Sequence, residues 1–475
     1  MDVLRLPLVG SFLRWRHARL ALQLPLLALA ALVVVHGLFG PQLAPRNLAT
    51  VLTSIHWRGL LIVALLAAGN LFCTGCPMML VRDAGRRVYH PALRWPRWLR
   101  GKWLAIALLV LVLFTYELFD LWSLPRATAW LVLGYFALAL IVDVVFSGAS
   151  FCKHLCPIGQ FNFIASTMSP TELRVADVSI CRSCRTADCI KGRYEVTPAR
   201  LQLVQRGCEL GLFLPVKVGN VECTMCLDCV HACPHDNIAL VTRVPGAELL
   251  ETRRRSGLGR LIQRTDLAVL AVVFTFAALV NAFAMTSPAL AAEQRLAAVL
   301  NVRSEAPVLA LIFLLGLGVA PAVLLGIAGV ISRGLAPREP TTLRHTIARY
   351  AFALIPIGFG IWLAHYGFHL LTGAATIVPV AQSAAIDAIG RAALGEPAWR
   401  WVGMQPGSVF PIQLGFVLLG AAGSFGLVHA TSLRDHPSSA TRASIPWLAL
   451  VALITTTALW ILSQPMEMRA VSFFG

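Results

Sequence analysis

Nine stretches of this chain are apolar over about the 20 residues that a helix needs to cross a bilayer core. They run over residues 20–39, 59–80, 103–123, 128–151, 266–286, 307–332, 350–372, 410–430 and 443–463. Of the 475 residues, 57% are hydrophobic and 13% charged, against about 25% charged in soluble proteins. The expected fold class is therefore mainly α: a polytopic helical membrane protein with about nine transmembrane helices. The first apolar run starts near Arg19, is long enough to span, and has no small-residue cleavage pattern before the next polar stretch. It reads as an uncleaved first helix.

The formal net charge is +17, and its distribution gives it a meaning. With the N-terminus on the cytoplasmic side, only Arg46, Arg58, Arg126, Arg295, Arg303, Arg391, Arg400 and Arg469 fall outside. These are 8 of the 40 Lys and Arg residues, and the other 32 fall inside. That asymmetry is the positive-inside pattern, and it explains the charge without nucleic-acid binding. It places the C-terminus outside and a polar insert inside. Three regions follow: residues 1–151 with four spans, an inner segment 152–265, and residues 266–475 with five spans.

Eight of the 12 cysteines lie between Cys181 and Cys233. Cys223, Cys226, Cys229 and Cys233, followed by Pro234, have the spacing C-x2-C-x2-C-x3-C-P of the bacterial ferredoxin run. In such runs three thiolates clasp one cubane 4Fe-4S cluster, and the fourth serves the neighbouring cluster. A structural zinc site takes paired knuckles instead. Upstream stand Cys181, Cys184 and Cys189, then Cys208. Crossing the fourth ligands assigns Cys181, Cys184, Cys189 and Cys233 to cluster one. Cluster two takes Cys223, Cys226, Cys229 and Cys208. A lone zinc site, or a free buried thiol at Cys208, is the alternative that eight cysteines for two clusters argue against. The expected β structure is limited to short hairpins beside the clusters.

The other four cysteines stand where spans end. Cys73 and Cys76, before Pro77, close the second, and Cys152 and Cys156, before Pro157, close the fourth. By the charge pattern both pairs face the cytoplasm, above the insert. They could hold a further metal centre, form a redox-active disulfide, or be plain buried thiols; a reducing compartment and an adjacent cluster favour a redox role.

The segment Phe151-Cys152-Lys153-His154-Leu155-Cys156-Pro157-Ile158-Gly159 resembles the F-C-x3-C-P-x-G signature of membrane polyferredoxins of the NapH, NosR and CcoG types. In that family two membrane-edge cysteine motifs precede a cytoplasmic two-cluster ferredoxin domain. The resemblance covers roughly residues 60–240. It departs in three ways. The first edge motif is C-x2-C-P, no flavin domain precedes the spans as in NosR-type proteins, and five apolar segments replace the soluble C-terminal domain of CcoG-type proteins. The resemblance implies membrane electron transfer linked to quinol, with a periplasmic c-type cytochrome or iron-sulfur protein as partner. Electron flow from a cytoplasmic donor is equally compatible. Covalent flavin is not expected. Ser147-Gly148-Ala149-Ser150 lies on the inner side, and Thr372-Gly373-Ala374-Ala375-Thr376 matches a flavinylation sequence poorly. Neither a Walker sequence nor a dinucleotide fingerprint is present.

Ionisable residues in spans are functional candidates. Glu117 and Asp120 are placed at i and i+3 near the outer end of the third span, and Asp143 about two turns above Cys152. Asp143 could relay protons or bond a neighbouring helix. His36, His365 and His369 lie toward the outer side and suggest a quinone pocket. Haem b needs two opposed ligands. His365 and His369 on one helix cannot supply both, whereas His36 with His369 could; interfacial histidines bonded to backbone are the plainer reading. The leading expectation is a quinol dehydrogenase or electron-relay subunit of a bacterial inner membrane. The alternatives are a copper-reducing maturation factor, with Met466 and Met468 as soft ligands, and a non-catalytic membrane anchor.

Overall fold

The computed structural model describes residues 1–89, 91, 93–196, 201–336, 342–399 and 402–466; Met468 lies outside them. Among the described residues, eight helices are long and apolar enough to cross a membrane. They are Ala18–Phe39, Leu48–Ala68, Pro125–Val145, Thr265–Ala284, Glu305–Leu335, Leu343–Gly373, Pro406–Asp435 and Ala440–Ser463.

The expected ninth span is shorter. Residues 103–123 form the helix Trp103–Leu118, with 16 residues. At 1.5 Å per residue it covers about 24 Å, against a hydrocarbon core of about 30 Å. It stops before Asp120, whose φ of 43° is left-handed and cannot continue a right-handed helix. Glu117 and Asp120 therefore do not share a helical face, contrary to expectation: Asp120 sits in the turn beyond the helix end.

The second span is displaced toward the N-terminus, at Leu48–Ala68 in place of 59–80. Its first turns hold Thr50, Thr53, Ser54 and His56, which lower the local hydropathy. Their polarity is absorbed locally, since Thr50 Oγ1 donates to the Ala44 carbonyl and Thr53 Oγ1 to the Ala49 carbonyl. The helix ends at Gly69, with φ of 62°. The fourth ends at Val145, short of Gly148 at φ of 77°. Two further helices, Ser287–Leu300 and Ile377–Ile389, join the long ones.

The chain divides into two compact units. One comprises Met1–Leu29, Ala64–Ala105 and Tyr135–Asp266, the other Ala30–Val63, Ile106–Gly134 and Leu267–Gly475. The first unit holds the β structure: strands β1 (Thr171–Val175), β2 (Arg193–Val196), β3 (Leu201–Gln205) and β4 (Ile238–Thr242). They form two antiparallel pairs, β1 with β4 and β2 with β3. Alternate residues of β1 and β4 turn inward, so Leu173, Val175, Ile238 and Leu240 join Leu4, Leu212 and Met225 in one apolar core. Asp2 bridges to Val241, and its Oδ1 accepts from the Leu240 N–H at 3.1 Å.

In the second unit, the helices Ile355–Gly373 and Pro406–Asp435 approach closely at Gly360 and Gly420. A Cβ at Gly360 would lie 2.5 Å from the Phe416 carbonyl oxygen, and one at Gly420 2.6 Å from that of Pro356. Trp362 is buried there, its Nε1 donating to the Phe274 carbonyl at 2.9 Å.

Candidate functional site

The break at Gly69 leads into the first cysteine pair. Asn70 is fully buried and donates to the Cys223 carbonyl at 2.7 Å, and Thr74 Oγ1 donates to the Met225 carbonyl at 2.8 Å. The segment carrying Cys73 is thus bonded to the backbone of the ferredoxin-type run. Pro77 and Pro157 do not end the spans, which have already stopped. They stand at the starts of Met78–Val88 and Pro157–Ala165, where a missing N–H costs nothing.

Cys152 lies in the π-helical turn Phe151–Leu155. Asp143 positions that turn, its Oδ1 accepting from the Phe151 N–H at 2.8 Å. Cys156 accepts the Gly159 N–H at 3.1 Å, and Asn162 Nδ2 lies 3.7 Å from Cys73 Sγ. The four edge cysteines gather. Cys73 lies within charge range of Cys76 and Cys156, and Cys152 within range of Cys156 and Cys76.

The eight cysteines from Cys181 to Cys233 fall into two groups. Cys181 feels the charge of Cys233 and Cys184, and Cys189 feels all three. Cys229 feels Cys223 and Cys208, and Cys226 feels Cys229. The Cys208 N–H donates to the Cys189 carbonyl at 2.9 Å, and Asn70, whose own carbonyl accepts the Cys73 N–H at 2.8 Å, donates to the Cys223 carbonyl. Backbone bonds thus link the Cys181 group to the Cys223 group, and that group to the edge segment.

Backbone geometry serves this wrapping. Glu222, Met225 and Leu227 all take left-handed φ, at 65°, 50° and 64°. Three such non-glycine residues within six positions store strain, a feature that collects at functional sites. Sulfur atoms receive hydrogen bonds from the Leu212 and Asn237 N–H groups at Cys208 and Cys233, each at 3.4 Å.

Sequence reading missed a second pattern. Each of three acids neighbours a cysteine of the Cys223 group: Glu209 follows Cys208, Glu222 precedes Cys223, and Asp228 precedes Cys229. Each is paired with a base from the first 102 residues. Arg82 grips Glu209 through two bonds of 2.9 and 2.7 Å. Lys102 Nζ lies 2.8 Å from Glu222, and Arg19 Nη1 2.9 Å from Asp228. Arg82 and Lys102 are 1% exposed at the side chain, deep enough for the pairs to matter. An acid beside each of three ligand candidates was the available signal.

The charge balance around these groups bears on what they can hold. Burial and the charge of Cys233 push the Cys189 thiol up to about 11, and burial raises Cys208, Cys226 and Cys229 as well. Cys184 goes the other way, lowered to about 7 by hydrogen bonds from the Ala187 backbone and Thr186. At the raised positions, binding a positively charged centre would deprotonate the thiols. Burial opposes the Glu209 carboxylate too, yet Arg82, Arg19 and Arg206 hold it down to about 2. Glu222 is likewise held below its ordinary range, because Lys102 and Lys153 outweigh its burial. Asp228 goes the other way, since burial outweighs Arg19.

Among the described residues, no three His, Cys, Asp or Glu side chains converge as one metal ion requires. A cubane takes one thiolate per iron, spread around the cluster. Two sets of four cysteines fit that donor requirement.

The second unit holds a separate polar cluster. The Arg58 guanidinium sits 3.9 Å above the Tyr116 ring and 5.5 Å from that of Tyr366. Ser54 and Tyr116 share a hydrogen bond of 3.0 Å, and Glu117 accepts from Asn281 at 3.0 Å. His365 and His369 meet edge to face with ring centres 5.0 Å apart; His365 Nδ1 and His369 Nε2 are buried without a hydrogen-bond partner. His36 Nδ1 accepts from the Leu48 N–H at 3.2 Å, and its Nε2 is buried without a hydrogen-bond partner.

A protein of Escherichia coli K12 named "Putative electron transport protein YccM" is 24% identical to this chain over 215 residues, covering 38% of this chain and 55% of that protein. The chain spans about half the length of the curated relative it matches. No protein-family model matches the chain, and no solved structure matches it.

Proposed function

We propose that this chain is a membrane-bound iron-sulfur electron-transfer protein, linked to quinol as a dehydrogenase or relay subunit. Cys181, Cys184, Cys189 and Cys233 would hold one 4Fe-4S cluster, and Cys208, Cys223, Cys226 and Cys229 a second. Clusters bound there supply one-electron transfer at potentials tuned by nearby charge and sulfur hydrogen bonds. The observation that carries the reading is the backbone bonding that joins Cys208 to Cys189, and Asn70 of the edge segment to Cys223. The name printed for the Escherichia coli relative fits this class.

The chain's own residues have distinct tasks in this reading. Arg82, Lys102 and Arg19 hold the acids beside the second cysteine group and fix its loop. Asn70 and Thr74 bind the edge segment to that loop. The edge cysteines serve as a dithiol–disulfide pair or a further metal centre. Quinol is assigned to the Arg58, His365 and His369 cluster, whose unpartnered ring nitrogens can accept its protons. The electrons pass between the quinone pool, or a cytoplasmic donor, and a periplasmic partner such as a c-type cytochrome or an iron-sulfur protein. Iron and acid-labile sulfide per chain, with EPR after addition of a quinol analogue, test the proposal. Two clusters that quinol reduces support it; iron-free protein refutes it.

One contact favours a second reading. Met79 Sδ lies 4.0 Å from Cys152 Sγ, and thioether with thiolate is a donor set that selects Cu(I). A copper-handling maturation role follows if the purified chain binds copper at the edge cysteines and quinol reduces no cluster.

A further inference from the structure

A cavity of about 780 Å³ lies in the first unit, walled by the start of Ala18–Phe39, by Met78–Val88 and by β3. Leu20, Leu24 and Leu27 line it at helical spacing, faced by Leu80 and Val81. These leucines belong to a helix apolar enough to span, so the wall lies where lipid chains run. Its polar end is basic, with Arg16, Arg19, Arg87 and Arg206.

The acids of the cavity are already engaged. Asp83 pairs with Arg82 and Arg206, and Asp228 with Arg19. Arg16 and Arg87 have no acidic partner among the described residues, whereas Arg19 is engaged by Asp228 at 2.9 Å and Glu209 at 3.9 Å. The site therefore presents unspent cationic donors above an aliphatic wall. A ligand that satisfies both is an anion carrying long apolar chains. Its volume is in the range of small-molecule sites, about 300–1,000 Å³, enough for a headgroup and the first part of its chains. The arginine count assigns this end to the cytoplasmic leaflet, where basic pockets between helices hold anionic headgroups.

We propose that this cavity binds an anionic phospholipid, its phosphate held by Arg16 and Arg87 and its acyl chain laid along Leu20, Leu24 and Leu27. The site is independent of the quinol assignment, which lies in the other unit. The test uses the full chain in detergent, stripped of lipid and titrated with phosphatidylglycerol or phosphatidylcholine of equal chain length, with bound lipid counted by native mass spectrometry. Phosphatidylglycerol should bind about tenfold tighter or more. The R16A/R87A variant should lose that preference to within about twofold, and R16K/R87K should keep most of it. Iron content of each variant shows that it has folded. Equal binding of the two lipids overturns the proposal. So does a preference that survives R16A/R87A, or displacement of phosphatidylglycerol by a short-chain quinone.

Discussion

The ammonium of Lys102 lies 2.8 Å from the carboxylate of Glu222, the residue directly before Cys223, and both side chains are almost wholly buried. Burial works against each charge alone. The pair persists because each satisfies the other, with the Lys153 carbonyl taking a second ammonium proton at 2.8 Å. Removing one member strands the other. Lys102→Ala should destabilise the unit by about 3 kcal/mol or more. Lys102→Met with Glu222→Gln should recover most of that loss. Thermal unfolding in detergent measures both, and equal stability of the single variant and the wild type would remove the pair from the account.

Acid should weaken the fold through Glu209. Its folded-state pKa of about 2 lies below the ordinary value of 4.5, so its contribution is complete above about pH 5 and fades as pH falls from 4.5 toward 2. Arg82→Gln removes the strongest holding charge and should move that loss to higher pH. Unfolding midpoints between pH 2 and 6 read the difference. An unchanged acid limb in the variant contradicts it.

Iron content separates the cysteine groups. Two cubanes carry about eight irons per chain, so Cys226→Ser should leave about four if the groups load independently. Cys73→Ser should keep all eight if the edge cysteines form a disulfide. Iron assay with acid-labile sulfide decides, and loss of iron in Cys73→Ser points to a further iron centre at the edge.

At the other cluster, Arg58→Gln or His369→Ala should lower quinol oxidation by about tenfold or more, a typical cost for removing a proton-transfer group. Iron content and the cluster EPR signals should not change. Steady-state rates with a quinol analogue check this, and wild-type rates in both variants move quinol away from these residues.

The long helices were legible in the sequence because span length and apolarity are local properties. Their ends were less so. Thr50 and Thr53 hid the start of Leu48–Ala68 by lowering its hydropathy, while bonding to nearby carbonyls let them sit in the helix. Asp120 cut the third apolar run through its backbone conformation, which composition does not show. The runs Cys181, Cys184, Cys189 and Cys223, Cys226, Cys229 are legible from spacing, since short loops limit where thiols can go, whereas the crossing of Cys208 and Cys233 is an expectation taken from ferredoxin runs. The clamps were not legible: Arg19 and Asp228, Arg82 and Glu209, and Lys102 and Glu222 meet only through the fold. The docking of Asn70 on the Cys223 carbonyl is of the same kind.

The pairing of Asp2 with Val241, and of Arg14 with Asp236 at 2.8 Å, joins residues to segments translated long after them. At about 5–20 residues per second, synthesis of the intervening chain takes on the order of ten to fifty seconds. During that interval the spans near residues 18–39, 48–68 and 125–145 emerge and can enter the bilayer, while β4 does not yet exist. The N-terminal segment must wait as an open strand edge until its partner arrives. Closure of this small sheet is therefore a late assembly event, and Cys233, just ahead of β4, arrives in the same late window. Slowed translation between codons 150 and 235 should lengthen the lifetime of an open intermediate that proteases can cut near residue 14.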